Sequence, residues 1–125
     1  MSQKRILIVD DEESFTRLLK LNLEAGGTYR VHTENRASHA VAAAKEFRPD
    51  LVFLDVMMPE MDGGDIASIL RADPEMKHVP IVFLTAAVKK EEVSSRGGQV
   101  GGFPYLAKPV DMETVIACLR THLGR

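Results

Sequence analysis

Three short apolar runs constrain this chain more than any other feature: RILIVDD (residues 5–11), LVFLDV (51–56) and IVFLTA (81–86). Each is continuous rather than alternating, rich in Val, Ile and Phe, and closed by polar residues. A strand covered on one face alternates apolar and polar residues, whereas a strand covered on both faces reads apolar throughout. The runs therefore predict parallel strands buried between helices. YRVHTE (29–34) and YLAKPV (105–110) read as weaker strands. Pro104, just ahead of the last, suits a sheet edge, where a missing N–H does little harm.

Between the runs lie helical patterns. Phe15, Leu18, Leu19 and Leu23 share a face, as do Ala37, Val41 and Ala44, then Ile66, Ile69 and Leu70, then Met112, Val115, Ile116 and Leu119. Asp111 is placed to cap the last of these helices. KKEEVSSRGGQVGG (89–102) is a poor helix, because its four glycines cost about 1 kcal/mol each relative to alanine. The order is βα repeated five times, which implies an α/β fold with right-handed crossovers. For five strands the leading topology is a doubly wound, flavodoxin-like parallel sheet of order 2-1-3-4-5. Its ligands bind beyond the carboxyl ends of strands 1 and 3.

Composition limits the functions available. With 125 residues the chain is expected to form a single domain over 1–125, and a formal net charge of −2 gives no footprint for nucleic acid. The lone Cys118 excludes an internal disulfide. No apolar stretch approaches membrane-spanning length and no signal peptide is evident, so a cytoplasmic protein is expected. His32, His39, His78 and His122 lack metal-ligand spacing and are expected on the surface or locally satisfied.

The strand ends carry the chemistry. Strand 1 ends in Asp10 and Asp11, strand 3 near Asp55, strand 4 in Thr85, and strand 5 in Lys108 before Pro109. In the expected topology these residues meet in one crevice. Three close carboxylates repel unless a cation holds them. A purely oxygen donor set favours Mg²⁺ or a similar hard ion. Asp55 could then attack phosphorus and become an aspartyl phosphate. Lys108 would offset the phosphoryl charge, and the Thr85 hydroxyl would donate to one of its oxygens.

VDDE after strand 1, DVMMPEMDG around Asp55, TA after strand 4 and YLAKP on strand 5, in that order, resemble the receiver domain of bacterial two-component response regulators. The resemblance runs over nearly the whole chain. It implies that Asp55 is the phospho-acceptor, and that Asp11, Asp55 and the backbone carbonyl of Met57 bind Mg²⁺, with Asp10 acting through water. It implies that Thr85 and Tyr105 are paired switch residues, Tyr105 turning inward from solvent on activation, and that the Lys108–Pro109 bond is cis. Met57 and Ala87 occupy positions that tune dephosphorylation in the family, and neither can orient a water, so slow loss of the phosphoryl group is expected.

The implied donor is a histidine kinase or a histidine phosphotransfer protein. The implied chain is a signalling domain rather than an enzyme, a monomer or a weak dimer formed on phosphorylation. SSRGGQVGGFPY departs from the family's usual helix 4 and puts the usual partner face in doubt. A haloacid-dehalogenase-type phosphohydrolase would need an acid where Met57 stands. A flavin carrier would need a phosphate loop where DDEES stands. A phosphorylation-independent interaction module on the same fold is the remaining alternative.

Overall fold

The computed structural model describes residues 3–86, 99–100 and 103–124. Strands β1 (Lys4–Val9), β2 (Tyr29–Glu34), β3 (Leu51–Asp55), β4 (Ile81–Thr85) and β6 (Phe103–Ala107) form the parallel sheet, and β5 (Gln99–Val100) joins it. Among the described residues the helices are α1 (Glu13–Glu24), α2 (Ala40–Phe47, after a short 3₁₀ turn at Ala37–His39), α3 (Gly63–Ala72) and α4 (Met112–Leu123). The sheet runs β2-β1-β3-β4-β6-β5. The five parallel strands thus take the expected 2-1-3-4-5 order, with β6 as the fifth.

The fifth strand begins two residues earlier than expected and ends at Ala107. Pro109 has no N–H to give a ladder, so the run 105–110 could not all be strand. β5 lies antiparallel on its outer side, setting Gln99 opposite Pro104 and Val100 opposite Phe103. The expectation of a poor helix at 89–102, like Ala87, otherwise falls outside the described residues.

Continuous apolar strands are explained by two cores. Leu7, Val9, Val52, Leu54, Ile81 and Phe83 point to the side of α2 and α3. Their neighbours Ile6, Ile8, Leu51, Phe53, Val82 and Leu84 point to the side of α1 and α4. Successive strand residues face opposite ways, so a strand with two covered faces has no place for a polar residue until it ends.

The helix stripes are narrower than the spacing suggests. In α1, Thr16, Leu19 and Leu23 are buried, but Leu18 is 60% exposed. In α3, Ile66, Ala67 and Leu70 meet the sheet, and Ile69 is turned out. A residue one place from a buried one is rotated about 100° around the helix, and a thin contact leaves it in water.

Asp111 caps α4 as expected, its carboxylate accepting from the Thr114 N–H at 2.8 Å. Asp62 does the same for α3 through Asp65. Asp111→Ala should lower stability by about 1 kcal/mol. Urea unfolding would read this as a lower midpoint with an unchanged slope.

Candidate functional site

At the carboxyl end of the sheet, β1 delivers Asp10 fully buried and Asp11 exposed. Three contacts immobilise Asp10. Its N–H donates to the Glu34 carbonyl at 3.1 Å, its Oδ1 accepts from the Glu12 N–H at 3.0 Å, and its carbonyl accepts from Asn35 Nδ2 at 2.7 Å. Asn35 also donates to Thr16 Oγ1 at 2.9 Å, tying β1 and α1 to the end of β2.

Asp55 closes β3 and is only 6% exposed. The Gly63 N–H donates to the Val56 carbonyl at 2.8 Å, which brings the start of α3 against the backbone of Asp55. Asp10, Asp11 and Asp55 each offer an oxygen within 4.8 Å of the others, the only such acidic, histidine or cysteine group among the described residues.

Lys108 enters from the end of β6. Its N–H donates to the Thr85 carbonyl at 2.8 Å, and its bond to Pro109 is cis, as the resemblance implied. The ammonium lies 2.6 Å from Asp10 Oδ2, 2.9 Å from Glu12 Oε1 and 3.8 Å from Asp55 Oδ1. It also sits 4.8 Å from the centre of the Phe15 ring. Apart from that ion pair, Asp10 Oδ2 is buried with no hydrogen-bond donor among the described residues.

Burial and repulsion set the electrostatics. Asp55 is pushed up to about 6, first by burial and then by the charge of Asp10, with Lys108 acting against the shift. Burial also raises Asp10, against its bonds to Lys108 and Glu12. Burial works against the Lys108 charge, but hydrogen bonds to Asp10 and Glu12 outweigh it and its pKa is raised.

For Asp55 the folded value of about 6 lies above the ordinary 3.8. Between the two, the folded chain holds a proton that the unfolded chain has lost, so stability falls as pH rises through that window. With metal chelated, urea unfolding should show higher stability at pH 4.5 than at pH 7, and Asp55→Asn should flatten the difference.

The expected residues are mostly brought together. Asp10, Asp11, Asp55 and Lys108 converge, and Thr85 ends β4, buried beside them. Tyr105 departs from expectation. Instead of facing solvent it is already inward, 5% exposed in the core cluster with Ile81 and Phe83, its hydroxyl without a hydrogen-bond partner among the described residues. Apolar burial of the ring outweighs the stranded hydroxyl. Met57 leaves the sheet and is 68% exposed.

Sequence reasoning missed Glu12, Phe15 and Asn35. Glu12 stands 96 positions from the lysine it binds, and no periodicity relates the two. Asn35, directly after a strand beside strand 1, was the more findable signal. The histidines are ordinary: His32 and His39 flank Glu34 at 3.2 and 3.6 Å. Burial pushes the Cys118 thiol up to about 11, which makes it inert. Among the described residues, no helix is long and apolar enough to cross a membrane.

A sheet with a carboxylate triad and a lysine at its switch point defines a class, and comparison with known proteins agrees with it. Residues 6–120 match the model of the response regulator receiver domain. The polar-differentiation response regulator DivK of Brucella anthropi is 34% identical over 122 residues, 97% of each chain. The DNA-binding dual master transcriptional regulator RpaA of Synechocystis is 36% identical over 121 residues, 97% of this chain but 49% of that protein. Among solved structures, the Vibrio cholerae chemotaxis protein CheY4 superposes with a TM-score of 0.81 at 31% identity, covering 96% of this chain and 98% of that one.

The chain belongs to the response regulator receiver domain family. Receivers as a family are signalling domains that take phosphoryl groups from histidine kinases, and membership gives this chain a two-component receiver role.

Proposed function

We propose that this receiver accepts a phosphoryl group on Asp55 and that residues 1–125 act as one unit in doing so. The observation that carries this reading is the convergence of Asp10, Asp11 and Asp55 with Lys108 at one end of the sheet. An Asp55 oxygen attacks the phosphorus of a phosphohistidine on a kinase or phosphotransfer protein. The P–N bond breaks, its electron pair leaves with the imidazole nitrogen, and Asp55 is left as a mixed anhydride. Lys108 supplies positive charge to the transferred oxygens, and Thr85 a hydroxyl donor.

The site suits Mg²⁺: the donors are all oxygen, and among the described residues the buried Asp10 Oδ2 has no partner but the Lys108 ammonium. Asp11, Asp55 and the Met57 carbonyl would hold the ion, with Asp10 acting through water. When bound, the ion neutralises the carboxylates and the oxygens of the incoming phosphoryl group.

Thr85 and Tyr105 then form the switch. Thr85 moves toward the phosphoryl group, and the Tyr105 already seated in the core is held there, a bias supplied by contacts made in only one state. The partner downstream is a protein met in the cytoplasm, and catalysis is confined to the chain's own modification. The test is mass spectrometry after incubation with Mg²⁺ and acetyl phosphate. One added phosphoryl group is expected with Mg²⁺, and none when EDTA is present. An unchanged mass with Mg²⁺ would leave the family's phosphorylation-independent mode in its place.

A further inference from the structure

Helix α1 begins on a residue that does little for the helix. Glu12 occupies its N-cap in extended conformation, yet its side chain makes no capping hydrogen bond. The caps of α3 and α4 are aspartates that do. Glutamate falls outside the Asp, Asn, Ser and Thr set that caps well. A cap position filled by a side chain that does not cap points to another use for that side chain.

That use is visible at Lys108. Glu12 reaches the ammonium at 2.9 Å, Asp10 at 2.6 Å, and the Phe15 ring lies 4.8 Å from it. Three groups of the β1–α1 segment thus draw the ammonium to one side of the crevice. Asp55 stands at 3.8 Å, beyond hydrogen-bond reach.

We propose that Glu12 is a positioning residue that holds Lys108 on the α1 side of the crevice and competes with the acceptor Asp55 for it. The inference rests on the reading of Asp55 as phospho-acceptor. A phosphoryl group on Asp55 adds anionic oxygens that draw the ammonium across, and Lys108 must loosen its bond to Glu12 to reach them. The Glu12–Lys108 pair therefore stabilises the unmodified chain over the modified one, and Glu12 sets how readily the site responds. Asp10 is buried and fixed by its backbone contacts, so it cannot yield. Glu12 is 61% exposed and screened by water, so it can.

Glu12→Asn removes the charge and supplies a competent cap, which separates the latch from helix stability. Two quantities decide the matter: affinity for beryllofluoride in saturating Mg²⁺, and the nuclear Overhauser effect between the Lys108 ε protons and the Phe15 ring in the free protein. The variant should bind beryllofluoride about two- to fivefold more tightly. It should weaken the Overhauser signal and unfold at the same or a higher urea concentration. An unchanged affinity overturns the inference. So does a tighter variant whose Overhauser signal is unchanged, because plain charge repulsion would then explain the gain. Wild-type protein that binds no beryllofluoride overturns the acceptor reading of Asp55 and this inference with it. Binding by wild type that Asp55→Asn abolishes, with Glu12→Asn unchanged, overturns the inference alone.

Discussion

Replacing Asp55 with asparagine is expected to abolish the phosphorylated mass after incubation with acetyl phosphate and Mg²⁺, while leaving the fold intact. The amide keeps the shape of the side chain at the end of β3 but has no anionic oxygen to attack phosphorus. Asp10 and Asp11 remain in the variant, so it also asks whether either can substitute. Asp10 is fully buried and held by Lys108, Glu12 and Asn35, so the expectation is that it does not, and the variant's mass also reports on the exposed Asp11.

The same change should raise stability by about 1–3 kcal/mol at pH 7 in the absence of metal. It removes a charge that burial and Asp10 push up to about 6. Activity lost with stability gained separates a functional carboxylate from a structural one. A mass shift that survives in Asp55→Asn would move the acceptor elsewhere, and a loss of stability would make Asp55 a structural residue.

A second large effect is expected from Gly63→Ala, a change that ordinarily helps a helix by about 1 kcal/mol. Gly63 is the first residue of α3. A methyl there would lie 2.3 Å from the Asp55 carbonyl oxygen, 3.1 Å from its carbonyl carbon and 3.1 Å from Val56 Cα. All three are backbone atoms at the end of a central strand and cannot step aside as a flexible side chain can. The helix must back away from the sheet, at a cost of roughly 1–3 kcal/mol or more. The displaced strand end carries Asp55, so phosphorylation should slow as well.

Gly64→Ala is the control. Among the described residues its methyl would meet Asp62 Oδ1 alone, at 3.3 Å, and stability should change by less than about 1 kcal/mol. Urea unfolding of the two variants side by side reads the difference. Equal midpoints would show that α3 can shift without strain.

Much of this protein is legible in its sequence because its strands are covered on both faces. LVFLDV and IVFLTA admit no polar residue until the strand ends, so the place where Asp55 or Thr85 interrupts the run is also the place where the site begins. Spacing alone therefore located the end of the sheet where these polar residues gather. It was less reliable for helices, where a stripe of leucines did not say that Leu18 would stay in water. Contact width depends on how the helix is seated on the sheet, which local spacing does not specify.

The sequence by itself determined the alternation of strands and helices, the parallel order, and the arrival of Asp10, Asp11, Asp55 and Lys108 at one edge. These follow from local periodicity and from the few ways a right-twisted parallel sheet can be connected. Only the tertiary structure decided that Lys108 rests nearer to Glu12 and Asp10 than to Asp55, that Tyr105 lies inward, and that Gly63 leaves no room for a methyl group. Each of these depends on how separate elements of the chain sit against one another. Such distances are set by how burial, repulsion and close packing settle together once the sheet has formed.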